Sequence, residues 1–252
     1  MKGLKPGQVP LERAFSKLGI ASRTESRAWI LSGRVKVNGD LRTNPGFGVN
    51  PETAIIELDG KKIGKPEHRT FLLHKPRGVV TTRVDEKGRP TVFSLCTELG
   101  LHLIAVGRLD WATSGLLILT NDTKLSDALS NPENKIVRTY TVTVRGEVTE
   151  DGLERIRAGI QDGEDLLTAE EIILRKASGK ESHLLVRLTE GKNREIRRLF
   201  LAIGHEVLKL KRIEYGGLSL GDTELGKYRE LNSDELKIAF PSLHRMGKEK
   251  PE

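Results

Sequence analysis

The stretch Gly107–Asp122, GRLDWATSGLLILTND, sets a single carboxylate, Asp110, between two apolar runs. Before it, LIAVGRL (Leu103–Leu109) has the length and branching of a buried strand. After it, Gly115 opens a second such run, LLILT. Catalytic groups often sit where a rigid strand meets a loop, which makes Asp110 a candidate for chemistry. Taken alone, it suits a turn cap or a partner for Arg108 equally well.

Outward from this stretch the pattern is dominated by strands. FLLHKPRGVVTT, LIAVGRL, GLLILT, RTYTVTVRG and HLLVRLTEG read as extended, and helical periodicity is confined to Lys124–Leu129, Asp151–Ile160 and Asn193–Ile203. Strands with segregated helices predict an α+β fold, a mixed and largely antiparallel β-sheet with helices packed against it, over residues 69–240.

The first 60 residues read differently. LERAFSKL (Leu11–Leu18) is an amphipathic helix closed by Gly19, and Ser22 begins a capping box with Glu25, opening a second helix that runs to about Leu31. RVKVNG follows as an alternating strand, with Asn38-Gly39 as a hairpin turn. Arg23, Arg27, Arg34 and Lys36 cluster on the second helix and the strand, forming one cationic surface. The segment KLGIASRTESRAWILSGRVKVNG resembles an S4 RNA-binding domain, and residues 8–62 are assigned to it as a small helix-helix-hairpin domain. Lys61–His68 (KKIGKPEH) reads as a linker and residues 241–252 as a flexible charged tail.

Composition bounds the function. The 252 residues carry a net charge of +7, and residues 1–45 hold nine Lys and Arg against three Asp and Glu. Such asymmetry suits nucleic-acid binding through phosphate neutralisation, or alternatively a solvated basic face. Hydrophobic residues at 37% and charged residues at 31% indicate a soluble globular chain. No apolar run approaches the ~18 residues of a membrane span, and the first residues lack a signal-peptide pattern, so a cytoplasmic protein is expected. One cysteine, Cys96, excludes an internal disulfide, the six histidines show no metal spacing, and no Gly-rich phosphate loop is present. Neither a metal nor a cofactor is implied. Aromatic content of 4% is too low for a multi-base stacking sheet, so RNA would be held by charge and loops.

On the helix near Asn193, Ile196, Leu199, Phe200 and Ile203 share the buried face, and Arg194 and Arg198 lie opposite, toward solvent or phosphate. Arg197 falls about 100° from the centre of the buried face, placed to hold a partner such as Asp110 or simply a phosphate. Tyr140 alternates with Val142 and Val144 and points inward, either as core or as one wall of a base-sized slot. Lys75-Pro76-Arg77-Gly78 is a basic turn suited to phosphate contact or to a plain β-turn. With only Asp122 as a second nearby carboxylate, glycoside-type hydrolysis is disfavoured. One carboxylate, an arginine, a ring and an RNA-binding module fit covalent or electrostatic catalysis on a flipped nucleotide.

Together, GRLDWATSGLLILTND, RTYTVTV and EGKNREIRRLFLAIGHEV closely resemble the RsuA/RluB family of ribosomal RNA pseudouridine synthases, and the resemblance runs over nearly the whole chain. It implies that Asp110 is the catalytic aspartate, Tyr140 the stacking tyrosine and Arg197 the arginine that pairs with the aspartate. Arg108 and Thr113 would shape the loop and contact the nucleotide. The partner implied is ribosomal RNA or a ribosomal precursor subunit; a monomer without cofactor is expected. Arg138 stands where the family often has lysine and Thr123 where glycine commonly follows N-D. The form N-R-E-I-R-R-L, with Glu195, is closer to the branch acting on the large subunit than to the small-subunit branch, which stands as the alternative target. Outside catalysis, the competing reading is an S4-type RNA-binding or ribosome assembly protein; a nucleoside hydrolase is a third.

Overall fold

The computed structural model describes residues 4–64 and 67–241. The chain divides into two compact units. One comprises the residues up to Thr70 together with Thr97–Ile104 and Leu119–Ser126, and the other comprises the remainder.

In the first unit, α1 (Leu11–Lys17) and α2 (Arg23–Leu31) precede strands β1 (Val35–Val37), β2 (Asp40–Leu41), β3 (Ile56–Leu58) and β4 (Lys61–Lys62). The capping box is formed in full: Glu25 N donates to Ser22 Oγ, and Ser22 N donates back to the Glu25 carboxylate. Asn38 (φ 52°) and Gly39 (φ 87°) both take left-handed conformations, as the tight β1–β2 turn requires. Leu11, Phe15, Ile30 and Val35 are fully buried and form the centre of its core. Lys61 and Lys62 are not linker residues, because they add β4 to the edge of β3 through the Glu57↔Lys62 and Leu58↔Lys61 pairs. Thr97–Ile104 belongs here too, with His102 Nδ1 standing 3.9 Å from Glu25 Oε2. The tail beyond 241 lies outside the described residues.

The second element set is a nine-stranded sheet. Its main strands are β5 (Thr70–Lys75), β6 (Ser114–Thr120), β7 (Arg138–Arg145), β8 (Glu171–Ala177), β9 (Glu181–Leu188), β10 (Val207–Tyr215) and β11 (Tyr228–Leu231), in the spatial order β8-β9-β7-β10-β6-β5-β11. Strand β7 runs antiparallel to β9 and β10, and β8 antiparallel to β9, whereas β6 and β10 are parallel. An α+β fold with a largely antiparallel mixed sheet is therefore observed. Leu116, Leu117, Ile118 and Leu119 are all fully buried, which accounts for the unbroken apolar run: a central strand covered on both faces needs no alternation. Helices α3 (Thr123–Ser130), α4 (Glu150–Ala158), α5 (Glu195–Ala202) and α6 (Ser233–Ala239) accompany the sheet. No helix among the described residues is long and apolar enough to cross a membrane.

Several boundaries depart from the sequence reading, two of them through glycines. Only Ile104–Ala105 of LIAVGRL is strand, since Gly107 turns with φ 67° and the rest becomes loop. The helix expected over Asp151–Ile160 stops at Ala158, where Gly159 (φ 94°) turns the chain so that Ile160 starts a short strand. One glycine fixes the geometry beside Asp110. Gly115 has φ 114° and pairs with Arg212 across the parallel β6–β10 contact, where a Cβ would lie 2.1 Å from Arg212 O.

Candidate active site

Asp110 stands on a β-turn whose backbone is held at every residue. Thr81 Oγ1 donates to Leu109 O (2.8 Å), and Thr113 N donates to Asp110 O (3.0 Å), closing the turn. Gly78 N donates to Trp111 O (2.9 Å) and Arg197 Nη2 to Ala112 O (3.3 Å). Lys75 Nζ reaches three carbonyls at once, those of Pro76 (3.0 Å), Asp110 (3.1 Å) and Thr113 (2.8 Å). Five consecutive carbonyls, Leu109 to Thr113, therefore each accept at least one hydrogen bond. A turn held this way presents its side chains without further ordering cost.

The Asp110 carboxylate itself is one-third exposed, and its ion-pair contact is a long one, 3.9 Å from Oδ2 to Arg194 Nη1. It opens onto a cavity of about 380 Å³ whose wall includes Thr113, Tyr140, Arg197, Leu210 and Arg212. Tyr140 lies on β7 directly across from Arg212 on β10, so ring and guanidinium come from paired positions of neighbouring strands. Tyr140 is buried, as its alternation with Val142 and Val144 requires.

Arg212 is 2% exposed, donates from Nε to Leu116 O (2.7 Å) and lies 4.9 Å from the centroid of Tyr215. Arg138 stands over the same ring at 5.0 Å while donating to Thr189 O and Glu190 O. Arg108, Arg138, Lys192, Arg194, Arg197 and Arg212 line this space against Asp110, Glu190 and Glu195, a cationic surplus suited to an anionic ligand.

Unmet hydrogen-bonding capacity is concentrated here. Among the described residues five buried side-chain polar atoms lack a partner, and Thr113 Oγ1, Arg197 Nε and Arg212 Nη2 all belong to this cavity's wall. Each such atom costs about 1–3 kcal/mol, and clustering of that kind marks a functional site rather than a packing accident. Burial drives the electrostatics further. It lowers the Lys75 ammonium to about 8, with Asp110 opposing the shift and Arg212 adding to it. It also depresses Arg197, helped by Arg194 and opposed by Asp110, and raises the Glu195 carboxyl.

Comparison with known proteins places this architecture. A family model described as RNA pseudouridylate synthase matches residues 69–202, and an S4 domain model matches residues 11–55. The chain belongs to the RNA pseudouridylate synthase family. The synthase is 36% identical to an uncharacterized RNA pseudouridine synthase of Aquifex aeolicus (strain VF5) over 94% of this chain and 95% of that one. It is 38% identical to the ribosomal large subunit pseudouridine synthase B of Bacillus subtilis (strain 168) over 90% and 93%. A solved pseudouridylate synthase matches with a TM-score of 0.64 at 25% identity, covering 91% of this chain and 98% of that one.

Within the synthase, Asp110, Arg108, Thr113, Tyr140, Arg194 and Arg197 come together on one cavity. Three sequence expectations need correction. Arg197 does not ion-pair with Asp110; it clamps the backbone at Ala112 O and Val207 O, and the ion pair comes from Arg194. Lys75 is no phosphate contact, because it ends a strand of six buried residues and its side chain is enclosed; Arg77 alone of that turn's cations is exposed. Arg198 is taken by Asp162 (2.5 Å) and Asp165 (2.8 Å) from a hairpin far off in sequence. In the S4 domain Arg27 pairs with Glu12 and Arg34 with Asp59, leaving Arg23 and Lys36 as exposed cations of that cluster without such pairing. Arg212 and the buried Glu195 were outside the predicted site, although the alternation of LKLKRIEY, read against Tyr140, places Arg212 on an inner face.

Proposed function

We propose that this synthase isomerises specific uridines of ribosomal RNA to pseudouridine, acting on the large subunit in the cytoplasm, with Asp110 as the catalytic carboxylate. The observation that carries the reading is Asp110 itself: a carboxylate on a rigidly held turn, with no short contact of its own, facing a cationic cavity walled by Tyr140. A group positioned but not consumed is available to substrate.

In the reaction the N1–C1′ bond of uridine breaks, the base turns within the cavity, and C5 bonds to C1′; C5 gives up its proton and N1 gains one. Atoms and charge balance without a redox partner. Tyr140 would stack on the base while it is detached, Arg108 and Thr113 would border it, and Arg194, 3.9 Å from Asp110, would stand beside the carboxylate as the sugar arrives. Arg197 would act through the backbone of Ala112. The large-subunit assignment is supported by the Bacillus subtilis relative and by the N-R-E-I-R-R-L form around Glu195. Residues 8–62 would anchor the RNA through Arg23 and Lys36.

Tritium release from ribosomal RNA labelled at C5 of uridine tests this. The wild type is expected to release tritium from large-subunit RNA and Asp110→Asn is not. Free uracil as product would point instead to hydrolysis, and no release from naked RNA or precursor subunits would leave an RNA-binding protein.

A further inference from the structure

Trp111, the residue after Asp110, has no role in the site as described. It is 51% exposed, and it is the sole aromatic among the large apolar side chains that the described surface leaves open. Its backbone does not move to hide it: Gly78 N holds Trp111 O, and the Asp110–Thr113 hydrogen bond places Trp111 at the first corner of the turn. Its ring takes part in none of the aromatic or cation–π pairs of the described residues, and it is not a wall of the Asp110 cavity.

A corner of a β-turn ordinarily carries a polar residue or proline. An indole on that held backbone, whose carbonyl is bound by the residue after the exposed Arg77 and which follows the exposed Arg108 by three residues, combines a flat apolar face with phosphate-binding charge. That combination suits single-stranded RNA, whereas a protein-docking face would be broader and less charged.

We propose that Trp111 is the stacking platform for the RNA base adjoining the uridine taken up beside Asp110. The inference rests on the RNA-modifying reading. Drawing a uridine out of its stack removes one stacking face from its neighbour, and an indole one residue from the carboxylate replaces that face while Arg77 holds a flanking phosphate.

Trp29 is the only other tryptophan, so Trp29→Phe leaves Trp111 as the sole indole emitter. The titrants are a short oligouridylate and an abasic backbone of equal length and charge. Quenching of Trp111 by the oligouridylate alone is expected. Trp111→Ala should weaken oligouridylate binding about tenfold and Trp111→Phe far less, with circular dichroism unchanged. Salt-dependent binding without a change in emission, equal quenching by both titrants, or full affinity in Trp111→Ala would overturn the stacking role. Absence of binding to the oligouridylate and to large-subunit RNA alike would overturn the RNA reading beneath it.

Discussion

The Leu109–Thr113 turn and the cationic face of the S4 domain use charge in opposite ways. On the turn, cations are spent on the backbone: Lys75 and Arg197 donate to carbonyls and leave the Asp110 carboxylate nearly unclaimed. On the S4 face, Arg23 and Lys36 stand exposed, and even the paired Arg27 and Arg34 are open to water. Chemistry demands position, so buried charge there buttresses geometry. Anchoring a polyanion demands only net charge near the surface, which solvent screening tolerates and salt tunes.

Substitutions on the two regions should separate turnover from binding. Asp110→Asn removes the charge proposed to react and no backbone contact; turnover should fall by about a thousandfold or more while RNA affinity in a filter-binding assay stays within about twofold. Gly115→Ala attacks the same region through its frame. The Cβ collides with Arg212 O in a backbone conformation that L side chains avoid, and urea denaturation should register a loss of roughly 3 kcal/mol.

Lys75→Met tests whether the buried ammonium acts through position. Without it three carbonyls lose a donor, and kcat should drop about tenfold or more with little change in RNA affinity. Its titration gives a second signature. Burial lowers the folded-state value to about 8 from 10.5, so between those values the unfolded chain binds more protons and the wild type gains stability as pH rises. Over the same window kcat should decline, because the neutral amine has one N–H fewer than the three carbonyls need. Opposite slopes for stability and turnover, both absent in Lys75→Met, are the expected result; parallel slopes would refute the positioning role.

The mildest effects belong to the S4 face. Replacing Arg23 and Lys36 together with glutamine should weaken RNA binding several-fold and reduce the salt slope by about 0.7–0.9 for each phosphate no longer neutralised, with kcat unchanged. The same change at Arg27, already paired with Glu12, should do less.

The legible and the hidden parts of this molecule divide along a physical line. Local signals were legible in the sequence: the Ser22–Glu25 capping box, the Asn38-Gly39 turn, and the double-faced burial of Gly115–Thr120 depend on near neighbours or on period. The cavity members Asp110, Tyr140 and Arg197 were legible through motif and alternation. Partners distant in sequence were not. Lys75 looks like a phosphate-binding turn until Thr113 O, 38 residues on, encloses it, and Arg198 looks free until Asp162 and Asp165 arrive from another hairpin. Arg194, read from the sequence as a solvent- or phosphate-facing residue of the helix, precedes α5 with a left-handed backbone (φ 50°) and stands 3.9 Å from the Asp110 carboxylate, a placement with no sequence signature.

The turn around Asp110 is fastened by its main chain, through donors that lie elsewhere. Its outward side chains are therefore under no obligation to hold it together. Position 111 can change identity without removing any hydrogen bond that holds the turn. If Trp111 stacks on a neighbouring base and Asp110 acts on the glycosidic bond, as proposed, replacing the side chain at 111 alters which RNA neighbourhood is favoured and leaves the carboxylate in place.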